Sequence, residues 1–142
     1  MADPLIVEVV SPEAVLYSGE ADMVITRTLG GGEVAFQAGH APFLGALIEN
    51  HTRIFQTDGK VQDIAVHGGF VEVSGSPTKV SILSDKAELA EDIDVERAKE
   101  ALERHVHMLR DQSLEANLVE IATAGRDRNM ARLRATGTSF TA

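Results

Sequence analysis

The sequence contains no cysteine and no tryptophan, and only one tyrosine, five phenylalanines and four prolines in 142 residues. Without thiols there is no disulfide framework, no thiolate nucleophile and no cysteine-ligated zinc. No apolar run approaches the roughly 20 residues that span a bilayer. The opening segment, Met1 to Val10, carries Asp3 and Pro4 and no basic stretch, so it reads as a first strand and not as a signal peptide. The lack of a transit peptide points to a bacterial or organelle-encoded origin. Bases are also scarce: Lys+Arg 13 against Asp+Glu 22 gives a formal charge of −9. That balance argues against unaided binding to nucleic acid or an anionic membrane. What is present, 44% hydrophobic and 25% charged residues, suits one small globular domain or a domain with an appendage.

The chain has two halves. Leu5–Val10, Met23–Thr28, Thr52–Thr57, Lys60–Val66, Phe70–Val73 and Lys79–Leu83 are short, β-branched-rich segments separated by Gly- and Pro-containing turns. Asp58-Gly59 suits a type I′ hairpin turn, and Ser74-Gly75-Ser76-Pro77 a second reversal. This pattern predicts an antiparallel β-sandwich or barrel over residues 1–86. Beyond it proline disappears and Ala, Glu, Leu and Arg dominate. Acidic residues gather at Glu91, Asp92, Asp94 and Glu96, as they do around a helix N-terminus. Ala98, Leu102, Val106 and Leu109 then form one helical stripe. Asp111-Gln112-Ser113 interrupts it, and Leu114, Leu118, Ile121, Ala122, Met130 and Leu133 form a second, with Gly125 as its weak point and Gly137 as its stop. Residues 87–142 are thus expected to be an antiparallel two-helix hairpin. Its narrow apolar faces need something to pack against.

The candidate chemistry is thin. His105 and His107 are two apart, which turns them to different sides of a helix and excludes shared metal ligation. His40, His51 and His67 stand beside Gly or Asn, as turn or surface residues do, with no carboxylate at ligand spacing. No serine lies in a nucleophile elbow, and Gly30-Gly31-Gly32 is followed by Glu33 and no Lys-Ser/Thr, so it is a strand connection and not a phosphate loop. No catalytic or metal site emerges. The arginines say more. Arg97 and Arg104 lie two turns apart on one helix face, and Arg128 and Arg132 one turn apart on the other helix. If those faces meet, four guanidinium groups converge, an arrangement that calls for an anion. Exposure to solvent or to an acidic partner accounts for the same spacing. Asp94, at the start of the first helix, reads as its N-cap.

Three segments resemble a known family. Gly32-Glu33-Val34-Ala35-Phe36-Gln37-Ala38-Gly39-His40-Ala41-Pro42-Phe43 resembles the Gly-Glu-x-Gly-x-x-x-Gly-His-x-Pro-Leu signature of the epsilon subunits of rotary ATP synthases, called delta in mitochondria. Ala35 replaces the usual Gly and Ala38 the usual Pro. Val66-His67-Gly68-Gly69-Phe70-Val71-Glu72-Val73 is similar to that family's Gly-Gly-Phe-x-Glu-Val strand pair, and Ile93-Asp94-Val95-Glu96-Arg97-Ala98 to its Ile/Leu-Asp-x-x-Arg-Ala nucleotide motif. Each is weak alone; in this order they are specific.

The resemblance implies a ten-stranded sandwich followed by a regulatory hairpin, in a non-catalytic rotor subunit of a proton-translocating synthase. The implied partners are the gamma subunit, the c-ring and, transiently, the alpha/beta catalytic head. The implied place is the cytoplasmic face of a bacterial inner or other energy-transducing membrane, reached only through the complex. Glu33 and His40 would lie near the c-ring. Glu88, Ile93, Asp94, Arg97, Ala98, Arg104, Arg128 and Arg132 would form a site for ATP as a regulatory ligand that is not hydrolysed, with no required cofactor. The hairpin would inhibit hydrolysis when extended, where the same arginines could meet an acidic loop of the beta subunit. A free-standing nucleotide-binding module is the alternative, and a small hydrolase finds no constellation to support it.

Overall fold

A computed structural model describes residues 3–142; the first two residues of the expected 1–86 unit lie outside it. Seven strands, β1 (Leu5–Val10), β2 (Val15–Thr28), β3 (Gly32–Phe36), β4 (Phe43–Gln56), β5 (Val61–Ser74), β6 (Lys79–Leu83) and β7 (Ala87–Leu89), precede two helices, α1 (Val95–Leu109) and α2 (Ala116–Ala135). The strands run in the order β1-β6-β5-β4-β2-β3, β7 pairs with β5, and a β1–β2 pairing closes the ring. The class is the expected one, but the expected ten strands are seven. The physical reason is that β2, β4 and β5, each of 14 residues, run on through bends. The first half of β2 pairs with β1, the second with β3 and β4. The first half of β5 pairs with β7, the second with β6. Taken as halves, these three strands account for the difference. The bend in β5 lies at Gly68-Gly69, both at positive φ. A Cβ on Gly69 would stand 2.1 Å from the carbonyl oxygen of Leu83, so no larger residue fits there.

Alternation drives the sandwich closed. Leu5, Val7 and Val9 of β1, Val71 and Val73 of β5, and Val80 and Ile82 of β6 are almost wholly buried, joined by Val24, Phe36, Ile54, Ile64 and Val66. The sheet runs past residue 86: β7 pairs Ala87 with Val66 and Leu89 with Ile64, and a single 3-10 turn (Ala90–Asp92) leads to α1. The side chain of Asp94 accepts from the Arg97 amide at 3.1 Å and caps α1 as its position predicts.

The hairpin core is small. Ala98 and Leu102 of α1 meet Leu133 of α2, flanked by Val95, Val106, Met130 and Phe140. α2 packs against α1 on one side and against β4 and β5 on another. The side it buries is made of small or polar residues, Ala122, Gly125, Asn129, Ala131 and Ala135, besides Leu133. The expected stripe is corrected accordingly. Leu118 and Ile121 are exposed, because the burial of α2 begins only at Ala122. Gly125 does not break the helix. It makes room for His105: a Cβ there would lie 2.4 Å from the imidazole Nε2. No helix among the described residues is long and apolar enough to cross a membrane.

Candidate functional site

All eight residues expected to form one site line a single cleft. It lies where the hairpin meets the end of the sandwich and has a volume of about 390 Å³. Glu88 comes from β7, Ile93 and Asp94 from the approach to α1, Arg97, Ala98 and Arg104 from α1, and Arg128 and Arg132 from α2. Lys86, Asp92, Ala101, His105 and Asn129 complete the lining. Five cationic side chains therefore face three carboxylates in a protein whose overall balance is acidic. Among the described residues, no hydrogen bond or ion pair engages the guanidinium groups of Arg97, Arg104 or Arg128. His105 registers the positive field they make. Burial, then Arg104 and Arg128, hold its pKa below the ordinary imidazole value, and its Nδ1 is buried without a partner.

Arg132 behaves differently from the other three. Its Nε donates to Glu88 Oε2 at 2.7 Å and its Nη1 to Asn129 Oδ1 at 2.9 Å. Buried Asn129 in turn donates to the Gly125 carbonyl at 2.8 Å. Of the four guanidinium groups expected to converge, three are open to a ligand and one bolts the hairpin to the sandwich. Ala98, 3% exposed, belongs to the hairpin core and forms part of the cleft floor.

Glu88 also accepts from His67 Nε2 at 2.7 Å, while His67 Nδ1 faces Glu49. The hydrogen bond from His67, with that from Arg132, outweighs burial and lowers the Glu88 pKa to about 2. His67 was expected in a turn or on the surface. It lies within β5, and its side chain is only 3% exposed. Its carboxylate partners stand 18 and 21 residues away in sequence, so no local motif could have shown them. Among the described residues there is no cluster of the kind that holds a metal ion.

Glu33 and His40 are not brought together. Glu33 is exposed near the start of β3. His40 lies in the β3–β4 loop, its ring edge-on to Phe36 at 4.9 Å and its Nδ1 2.7 Å from the Ala41 carbonyl. The run of β3 from Glu33 to Phe36, about 10 Å at the usual rise per residue, separates them. Elsewhere the sandwich keeps an uncovered apolar row. Phe70, 57% exposed, is paired with Leu83, 50% exposed, and Val10 stands beside Leu83 on β1. Leu44, 71% exposed, shares that face opposite Glu72.

A family model described as the beta-sandwich domain of the ATP synthase delta/epsilon chain matches residues 4–90. The chain belongs to that family. The ATP synthase epsilon chain of Brevibacillus brevis is 51% identical over 98 residues, 69% of this chain and 72% of its own. That of Thermobifida fusca is 50% identical over 101 residues. That of Shouchella clausii is 38% identical over 116 residues, 82% of this chain and 84% of its own. In fold, a chain of the Euglena gracilis mitochondrial ATP synthase, from an OSCP/F1/c-ring assembly, superposes with a TM-score of 0.80. It covers 93% of this chain and 80% of that one at 22% identity. As a family member this chain is a non-catalytic subunit of the ATP synthase complex. The matched residues 4–90 take in the sandwich with Lys86 and Glu88; the rest of the cleft lies beyond them.

Proposed function

We propose that this chain is a central-stalk subunit that couples rotation of a membrane c-ring to the catalytic head, and that its hairpin senses ATP. The observation that carries the sensing role is the cleft itself. Arg97, Arg104 and Arg128 converge from two helices and, among the described residues, none of them is paired with a carboxylate; like charges gathered this way are relieved by a polyanion. Guanidinium forks match phosphate oxygens and form charge-assisted hydrogen bonds to them. Asp94 spends one carboxylate oxygen on capping α1, and the other is free to accept from an exocyclic amine. A ligand touching both helices favours the arrangement in which they are together, so ATP would hold the hairpin down and oppose its extension into the head, the form taken here to inhibit hydrolysis. ATP binds without being hydrolysed in this reading.

The stalk role rests on family membership and on the exposed apolar side chains of Phe70, Leu83 and Leu44, with half-buried Val10 beside them, which suit a gamma subunit better than water. Glu33 and His40 are the residues proposed to lie toward the c-ring. The place is the cytoplasmic face of an energy-transducing membrane, held there through the complex. Calorimetric titration with ATP tests the sensing role. Saturable binding by the wild-type chain, lost in both Arg97→Ala and Arg128→Ala, is the expected result. Unchanged affinity in both variants would remove the site. Co-purification with a gamma subunit tests the stalk role, and a fully functional chain that never associates with one would leave a free-standing nucleotide module.

A further inference from the structure

Arg132 of α2 and His67 of β5 donate to the same atom. Arg132 Nε and His67 Nε2 each lie 2.7 Å from Oε2 of Glu88. His67 Nδ1 lies 2.5 Å from Oε2 of Glu49 on β4. An imidazole donates at both nitrogens only as the imidazolium. The seated hairpin therefore completes a row of alternating charge: Glu49, His67, Glu88, Arg132. Three members belong to the sandwich, and only Arg132 comes from the hairpin. The charged groups facing His67 are Glu49 from β4 and Glu88 from β7, with Arg132 of α2 behind Glu88. The His67 backbone amide donates to the carbonyl of Lys86, whose side chain takes no part in the row.

We infer that seating of the hairpin on the sandwich is proton-linked, because Arg132 and the proton on His67 compete for one carboxylate oxygen of Glu88. With Arg132 withdrawn, His67 faces two carboxylates that no other charge offsets, and it holds its proton more tightly. With Arg132 in place, Glu88 is partly neutralised and α2 shields the imidazolium from water. Both effects loosen the proton. Linkage is reciprocal: loss of the proton leaves two carboxylate charges unopposed instead of one and draws Arg132 in more strongly. The hairpin seats more firmly as pH rises through the range where His67 titrates and loosens as pH falls. In the seated form burial opposes the charge, but the bonds to Glu49 and Glu88 prevail and raise the His67 pKa. The working range thus lies to the neutral and alkaline side of about 6.5. No nucleotide enters this argument, so it stands or falls apart from the ATP reading.

The test uses the full chain without nucleotide. His67 ring shifts are followed by NMR against pH in the wild type, in Arg132→Gln and in Arg132→Lys. The midpoint is expected to rise by about one pH unit in Arg132→Gln, because removal of a nearby like charge favours the imidazolium, and by less in Arg132→Lys. An unchanged or lowered midpoint in Arg132→Gln overturns the inference. Because the chain has no cysteine, energy transfer between labels at Thr57→Cys and Glu103→Cys reports seating cleanly. The seated fraction is expected to rise with pH in otherwise wild-type protein and to lose that dependence in His67→Gln. The same pH profile in both would overturn it even if His67→Gln seats less well overall.

Discussion

The sandwich and the hairpin are held by different means. The sandwich encloses a cluster of fifteen buried apolar residues, whereas the hairpin has three, Ala98, Leu102 and Leu133. Strand pairing closes the sandwich on itself. The hairpin meets it through small residues of α2 and through one polar seam, Arg132 on Glu88. Apolar burial scales with area and has no direction, so the core that holds the sandwich together carries no charge for pH to change. A seam of charged groups responds to pH and to competing ions. The sensing role proposed above needs a firm sandwich and a movable hairpin, and that division serves it.

The largest expected effect tests the division directly. Ile54→Ala opens a cavity in the sandwich core at a cost of about 2–5 kcal/mol, comparable with a domain's whole stability. Leu133→Ala carries a similar local cost, yet it should release only the hairpin. The composition supplies separate probes. The single tyrosine, Tyr17, packs against the sandwich core, and the helical circular dichroism belongs to α1 and α2. In urea, Leu133→Ala should lose its helical signal at lower denaturant while the Tyr17 signal holds. Coincident transitions would mean one cooperative unit, and the comparison would fail.

Next comes the seam. Glu88 has its pKa lowered from 4.5 to about 2, so its contribution is present above about 4.5 and is lost as pH falls toward 2. Each pH unit of such a gap corresponds to about 1.4 kcal/mol, to be discounted here because the group is a quarter exposed and shared between two donors. Glu88→Gln should lower the helical transition at neutral pH more than the Tyr17 transition, and should flatten the acid limb between pH 4.5 and 2. An unchanged acid limb would take Glu88 out of the seam. His67 acts with opposite signs in the two regions. Relative to the unfolded chain its raised pKa stabilises the sandwich below about 6.5 and fades as pH rises, while relative to the unseated hairpin its deprotonation helps Arg132 dock.

Smaller again is Gly125. Alanine there gains about 1 kcal/mol of helix propensity but drives a methyl group into the His105 ring, at a cost of about 1–3 kcal/mol. Gly125→Ala should therefore be mildly destabilising alone and stabilising in a His105→Ala background. If it behaves alike in both backgrounds, the close approach of α1 and α2 is not what demands glycine.

What was legible in the sequence was local. The stripe from Ala98 to Leu102 and the cap at Asp94 are settled by residues a few positions apart, and the structure places them as read. The reversal at Asp58-Gly59 is there too, but Gly59 alone has positive φ, so it is not the type I′ turn that the pair suggested. The front of β4, Phe43–Asn50, was not legible, because Gly45 interrupts a run that is apolar through Ile48 and lacks the alternation that marks a strand its neighbours impose. Leu118 and Ile121 have helical spacing but nothing to cover them; periodicity records a face, not what lies against it. The arginine spacing located the cleft, yet could not show that Arg132 is diverted, since Glu88 lies 44 residues away. His67 was missed for the same reason. A charge network assembled from three strands and a helix leaves no local spacing to read.

The smallest expected effect on stability falls on the residue expected to matter most for the ligand. The Arg97 guanidinium is exposed and has no protein partner among the described residues. Arg97→Ala should shift both urea transitions by less than about 0.5 kcal/mol, as surface substitutions usually do. With ATP present the proposed site makes the two chains diverge. A ligand bound only to the seated form stabilises it by about 2.7 kcal/mol at a hundredfold excess over its Kd, and only the helical transition of the wild type should gain from it. A gain shared by Arg97→Ala would place the nucleotide elsewhere. A gain in the Tyr17 transition alone would place it on the sandwich and leave the seam, not the cleft, as what governs the hairpin.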